Sequence, residues 1–223
     1  SATTLAQLAE HTTVHPRAEC VAIAQNRAAE KTFFANHGFA VAPFAVISHV
    51  ADCTAAANHV GFPAILKVAR LGYDGKGQVH VHTLSELENA FVQLGTVDCV
   101  LEQRLPLRTE LSVVVARTAR GDTAAFPVAE NVHEHGILAI SSVPASVDDA
   151  LRTQATTTAL AVAETLDYVG VMAVEFFVGV IQPERDDKTD YADEQISHGM
   201  PSSPPDVVPA GKPGLCGVST SAM

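Results

Sequence analysis

The stretch FPAILKVARLGYDGKGQ, from Phe62 to Gln78, restricts the fold of this chain more than any other, because a short apolar run with one lysine empties into a loop holding three glycines. Ala64, Ile65, Leu66 and Val68 read as a buried strand. Lys67 interrupts it with a cation whose stem tolerates burial while the ammonium reaches a polar site. Gly72, Gly75 and Gly77 free the backbone, so that successive N–H groups can turn toward an anion, and Lys76 adds a second positive charge. The layout points to a phosphate grip. It is not G-x-x-x-x-G-K-[ST], and no G-x-G-x-x-G opens a helix, so neither common nucleotide fingerprint applies. A surface β-turn is the other reading of the same glycines with Asp74 and Lys76.

With 223 residues and 47% hydrophobic content the chain is long enough for one large domain or two small ones around a buried core. Fourteen Lys and Arg against 25 Asp and Glu give a net charge of -11, which argues against a general nucleic-acid surface. Cys20, Cys53, Cys99 and Cys216 are far apart with no C-x-x-C pair, the usage of reduced thiols in a cytoplasmic protein. The most apolar region, Ala159 to Ile181, is broken by Glu164, Asp167 and Glu175 and should not span a membrane. The start, SATTLAQLAEHTT, lacks the basic-then-apolar order of a secretion signal.

Along the chain, Leu5, Leu8 and Ala9 give one short helical pattern before a connection through Pro16. Asn26 caps a helix through Asn36, with Gly38 as its stop, and Arg27 and Lys31 lie four apart on one face that reads as a solvated side. Val41 to Ile47 reads as a strand, and Asp52 starts a short helix that ends at Gly61 and Pro63. Beyond the glycine loop, Val79 and Val81 alternate with His80 and His82, two histidines on the polar side of a strand. Ser85 with Glu88 reads as a capping box for a helix carrying Leu87, Ala90, Phe91 and Leu94, after which Val97 to Leu101 returns as a strand. Glu102 and Gln103 fall at that strand's end, and Glu110 precedes the next strand, Leu111 to Ala116.

Gly121 and Asp122 mark a hairpin into Ala124 to Ala129, and ENVHEHGIL then supplies Glu130, Asn131, His133, Glu134 and His135. His133 and His135 raise a metal site, although a polar strand edge has the same spacing. Ser146 and Asp149 read as a second capping box, for a helix with Leu151, Ala155, Ala159, Val162 and Leu166 inward. In GVMAVEFFV, Gly170 to Val178, Glu175 is a lone carboxylate in a strand apolar on both faces. It needs a basic partner, a proton or a metal ion, since an unpaired buried carboxylate costs several kcal/mol. From Ile181 onward three basic and seven acidic residues accompany half of the chain's twelve prolines. Without apolar periodicity this tail is expected to be disordered.

IAQNRAAEK, LKVARLGYDGKGQ, the Glu102 to Glu110 segment, FPVAENVHEHGIL and VGVMAVEFF occur in one order. Together they resemble the ATP-grasp part of the N5-carboxyaminoimidazole ribonucleotide synthetase family, the ATPase subunit of phosphoribosylaminoimidazole carboxylase in purine biosynthesis. The resemblance covers about Ala24 to Val178. It implies an α+β ATP-grasp fold in which two α+β subdomains clamp a nucleotide: a remnant of a first domain over 1–24, an ATP-grasp domain over 25–180 with a small subdomain at about 62–105, and a disordered or foreign tail over 181–223. It also implies that MgATP activates bicarbonate as carboxyphosphate, which carboxylates 5-aminoimidazole ribonucleotide, with a homodimer as the assembly seen in relatives. Arg27 and Lys67 would hold the phosphates. Gly72, Tyr73, Asp74, Gly75, Lys76, Gly77 and Gln78 would close over them. Glu102, Gln103, Arg104 and Leu105 would meet the adenine, Glu110 the ribose hydroxyls, and His133 would sit near the nucleotide. Glu175 would be a ligand of Mg²⁺.

The family pattern also includes a longer first domain and, past the strand of Glu175, an NE-x-A-P-R segment with a second magnesium carboxylate. Here GVIQPERDDKTDYADEQ stands instead, so Glu184 does not take that role and a foreign or misread end is expected. Two further readings stay open beside carboxylation: another ATP-grasp carboxylate–amine ligase, and a nucleotide-binding remnant without catalysis.

Overall fold

Two antiparallel sheets, each with its own apolar core, carry the chain in a computed structural model that describes residues 1–70, 77–134, 137–180 and 213–222. The smaller sheet has four strands, β1 (Phe44–Ile47), β2 (Ala64–Val68), β3 (Gln78–Val81) and β4 (Cys99–Gln103), in the order β1-β4-β2-β3. Strand alternation sends Ala64 and Leu66 of β2, with Cys99 and Leu101 of β4, to one face. There they pack with Ile47, Val81 and two helices, Cys53–Val60 and Leu84–Gln93. The opposite face carries Ile65, Lys67 and Glu102. The apolar core on one side thus fixes which polar groups face the other.

The larger sheet runs β10-β9-β5-β7-β8, with β6 paired to β5; the strands are β5 (Leu107–Arg117), β6 (Thr123–Ala125), β7 (Ala129–Glu134), β8 (Ile137–Ser142), β9 (Gly170–Val180) and β10 (Pro213–Ala222). In the register of β5 and β9, Leu111 faces Phe176 and Val113 faces Val174. All four are fully buried against a long helix, Asp149–Thr165. That helix turns Leu151, Ala155, Ala159 and Val162 inward, as its three-and-four spacing requires. Ala2–Ala9, Ala18–Ala24 and Arg27–Asn36 are also α-helices; numbered in chain order, the α-helices of the described residues are α1 to α6, α6 being Asp149–Thr165. Asn26 caps α3 by accepting from the N–H groups of Ala28 and Ala29, and Gly38, at φ 76°, takes the left-handed turn that ends it.

Several expectations need correction. The smaller unit does not begin at 62, since β1 pairs with β4 from Phe44 to Ile47 and α4 packs into the same core. The cap of α5 is Thr83, which accepts from Glu86 N–H while Glu86 accepts from His82 N–H, so the helix starts two residues before the expected Ser85 cap. The cap of α6 is Asp148, which accepts from Leu151 N–H, in place of Ser146 and Asp149. Residues 18–24 form a helix where only a connection was expected, with Cys20 buried in the larger core. Glu110 lies within β5 and not before it. The tail is not irregular to its end, because Pro213–Ala222 pair with β9 and bury Leu215 and Val218. Residues 181–212 lie outside the described residues.

Cys20, Cys53 and Cys99 are free thiols, all buried, and burial pushes Cys99 up to about 11. Among the described residues no helix is long and apolar enough to cross a membrane.

Candidate functional site

Lys67 and Glu102 are brought together by strand register. Ile65 pairs with Glu102 across β2 and β4, so Lys67, two residues on and on the same face, reaches it diagonally. Lys67 Nζ donates to Glu102 Oε2 at 3.0 Å. A third side chain joins them from α3, where Lys31 Nζ stands 3.3 Å from the same oxygen and 5.8 Å from the centroid of the Phe44 ring. Lys31 was expected on a solvated helix side; its side chain is only 12% exposed. Glu102 Oε1 is buried without a hydrogen-bond partner.

The charges in this group act on one another. Burial pushes Glu102 upward, but Lys67 and Lys31 outweigh it and hold the carboxyl below its ordinary range. Burial also pushes Lys67 downward, and Arg27 and Lys31 add to that, with Glu102 opposing. Glu102 is therefore the anion that keeps closely spaced cations in one place.

These residues line a cavity of about 780 Å³. It lies between the two sheets: Lys31, Ile65, Lys67 and Glu102 form one side, Gln103, Arg104 and Leu105 its connecting wall, and Leu107, Phe177 and Gly217 the other. The wall is held by its backbone, since Gln103 N–H donates to Pro43 O at 2.9 Å and Arg104 N–H to Pro63 O at 3.0 Å. A cavity of this size, mostly apolar with a few convergent charges, suits a small organic anion.

Glu110, His133 and Glu175 stand on the larger sheet. Glu110 on β5 is opposite Asn131 on β7 and Phe177 on β9. His133 Nδ1 lies 2.8 Å from Glu110 Oε2. Glu175 is opposite Ser112 on β5 and Ser219 on β10. Burial pushes its carboxyl upward and Glu110 adds to this, while His133 and Arg27 pull it down. Arg27 is placed by the tie of its N–H to Ala69 O at 2.9 Å, where β2 leaves the sheet. Gly77, at φ 75°, accepts from Val68 N–H, and Gln78 pairs with Lys67. Gly72, Tyr73, Asp74, Gly75 and Lys76 lie outside the described residues, as does His135. His80 and His82 are exposed. Among the described residues no group of three or more His, Cys, Asp or Glu side chains could hold a metal ion.

Sequence reasoning missed Lys31, Leu107 and Phe177 as cavity residues. Only Lys31 carried a signal, its position one helical turn after Arg27.

Two α+β layers thus face each other across a cation-lined cavity. The chain belongs to the ATP-grasp domain family, which matches residues 32–188. It is similar to the N5-carboxyaminoimidazole ribonucleotide synthase of Pseudomonas aeruginosa, 41% identical over 176 residues that cover 79% of this chain and 48% of that protein. The synthase of Brucella melitensis is likewise 41% identical, over 174 residues covering 77% of this chain and 48% of its own. Among solved structures it is similar to an ADP complex of N5-carboxyaminoimidazole ribonucleotide synthetase, with TM-score 0.75 and 34% identity over 80% of this chain and 48% of that one. The chain thus spans about half the length of the relatives it matches. The expected α+β ATP-grasp fold is borne out.

Proposed function

We propose that the chain binds ATP in the cavity between its sheets and serves the ATP-dependent carboxylation of 5-aminoimidazole ribonucleotide by bicarbonate, in purine biosynthesis. The observation that carries this is the placement of Lys67, Lys31 and Glu102 on one wall of the cavity, in a chain similar along most of its length to synthases of that name. The phosphates would meet Lys67 and Arg27. The adenine would lie against Glu102 to Leu105, and Glu110, steadied by His133, would take the ribose hydroxyls. Transfer of the γ-phosphoryl group to bicarbonate would give carboxyphosphate and ADP, and the amine of the ribonucleotide would then take the carboxyl group and release phosphate. Such transfer depends chiefly on positioning and charge neutralisation, which fixed cations supply.

Mg²⁺ fits Glu175. Its carboxyl is pushed upward by burial, so a hard cation beside it would offset the cost of its ionised form, and one or two carboxylates with phosphate oxygens are the usual donors for this ion. Bound there, Mg²⁺ would neutralise charge on the phosphates. A homodimer and a cytoplasmic location accompany the reading.

The test is phosphate release by the whole chain supplied with ATP, Mg²⁺ and bicarbonate, with and without 5-aminoimidazole ribonucleotide. Release that requires the ribonucleotide supports this activity over that of another ATP-grasp ligase. The other outcome is nucleotide binding without turnover. ATP binding with no release under any of these conditions would favour it.

A further inference from the structure

Glu102 Oε2 accepts from Lys67 Nζ at 3.0 Å and forms an ion pair with Lys31 Nζ at 3.3 Å, while its Oε1 is buried and unpartnered. For a single ion pair one lysine would suffice. The second matters because of where the first must go. If Lys67 binds phosphate, its ammonium has to turn away from Glu102, and a buried carboxylate left without its cation is strongly unfavourable. Lys31 is placed to prevent this: it comes from a different element, α3, its side chain is 12% exposed, and its ammonium already touches the same oxygen. Phe44 on β1 lies 5.8 Å from that ammonium, so a ring face supports it.

We infer that Lys31 is a positioning residue that holds Glu102 neutralised so that Lys67 can leave it for the phosphates of a nucleotide. This rests on the nucleotide reading above and adds to it a residue and a role. The polyphosphate draws Lys67 off Oε2, Lys31 stays, and Glu102 keeps its charge and its place in the cavity wall. Without Lys31, phosphate binding must compete with Glu102 for one lysine. Binding of a nucleoside that lacks phosphates involves no such competition, so the role shows in the ratio of two affinities and not in either alone.

The experiment is calorimetric titration of the whole chain with ATP and, separately, with adenosine, for the wild type, Lys31→Met, Glu102→Gln and the double variant, each checked for folding by its thermal transition. The ratio of ATP to adenosine affinity is expected to fall about tenfold or more in Lys31→Met, the scale of a competing buried ion pair. In the double variant it should return to within about threefold of the wild type, because removing the carboxylate frees Lys67 even without Lys31. Equal losses for both ligands in Lys31→Met, or no loss, would overturn the assignment. So would a ratio that stays low in the double variant, which would make Lys31 a direct phosphate contact. Should Lys31→Met not fold, Glu102→Gln alone decides: freeing Lys67 must leave the ratio at or above the wild-type value, and a fall overturns the inference. A folded wild type that does not bind ATP overturns the nucleotide reading and this inference with it, whereas ATP binding with an unchanged ratio overturns this inference alone.

Discussion

Lys67 on β2 and Glu102 on β4 meet at 3.0 Å across neighbouring antiparallel strands, on the face of the smaller sheet turned away from its apolar core. Lys67 and Lys31 hold the Glu102 carboxyl below its ordinary range against the upward push of burial. A carboxyl whose folded value is lowered contributes stability that is complete above its unfolded value, near 4.5, and is lost as pH falls through the folded value. Glu102→Gln should therefore flatten the acid limb of the stability–pH curve, measured by urea unfolding between about pH 3 and pH 6. An acid limb identical to the wild type would show that the pair does not stabilise the fold.

Glu175 should behave in the opposite sense. Its carboxyl is raised, first by burial and then by Glu110, so the folded state holds its proton more tightly and stability falls as pH rises from the unfolded value through the folded one. Glu175→Gln should raise the melting temperature by a few degrees at neutral pH and remove the Mg²⁺ dependence of ATP binding. A lower melting temperature at neutral pH would count against an unfavourably buried carboxylate.

The contact between His133 and Glu110, at 2.8 Å, belongs in the proposal to the sugar end of the nucleotide. Glu110→Ala should weaken adenosine binding by about 1.5–3 kcal/mol, the worth of a hydrogen bond to a charged group, and leave binding of inorganic tripolyphosphate almost unchanged. Equal losses for both ligands in competition titrations would contradict that division.

Phe176 is fully buried on the face of β9 opposite Glu175, against the larger core. Phe176→Ala should cost about 3–5 kcal/mol of stability by opening a cavity there. Chemical denaturation measures this directly, and a loss below about 1 kcal/mol would mean that the core collapses around the gap.

Strand alternation made much of this legible in advance. Lys67 within Ala64–Val68 and Glu175 within an apolar run each stood out because a charge broke a pattern that burial otherwise explains, and each lies on the face away from its core. Lys31 was not legible, because helical spacing gives its face but not what that face meets. The caps were displaced for a simpler reason: Thr83 with Glu86 and Ser85 with Glu88 satisfy the same four-residue pattern, and only the extended backbone at Thr83 decides between them. Residues 18–24 form a helix without a side-chain cap at Arg17 to announce it. Pro213–Ala222, rich in glycine and serine, has little strand pattern of its own and is a strand by virtue of β9 beside it.

In the proposed function, the cavity between the sheets is an ATP site served by Lys67. Calorimetric titration of the whole chain with ATP in the presence of Mg²⁺, beside folded Lys67→Ala, tests it most directly. Saturable binding to the wild type is expected, with affinity lower by about tenfold or more in the variant, as for loss of a partly buried charge-assisted contact. A folded wild type that gives no binding heat, or a variant that binds ATP as tightly as the wild type, would contradict it.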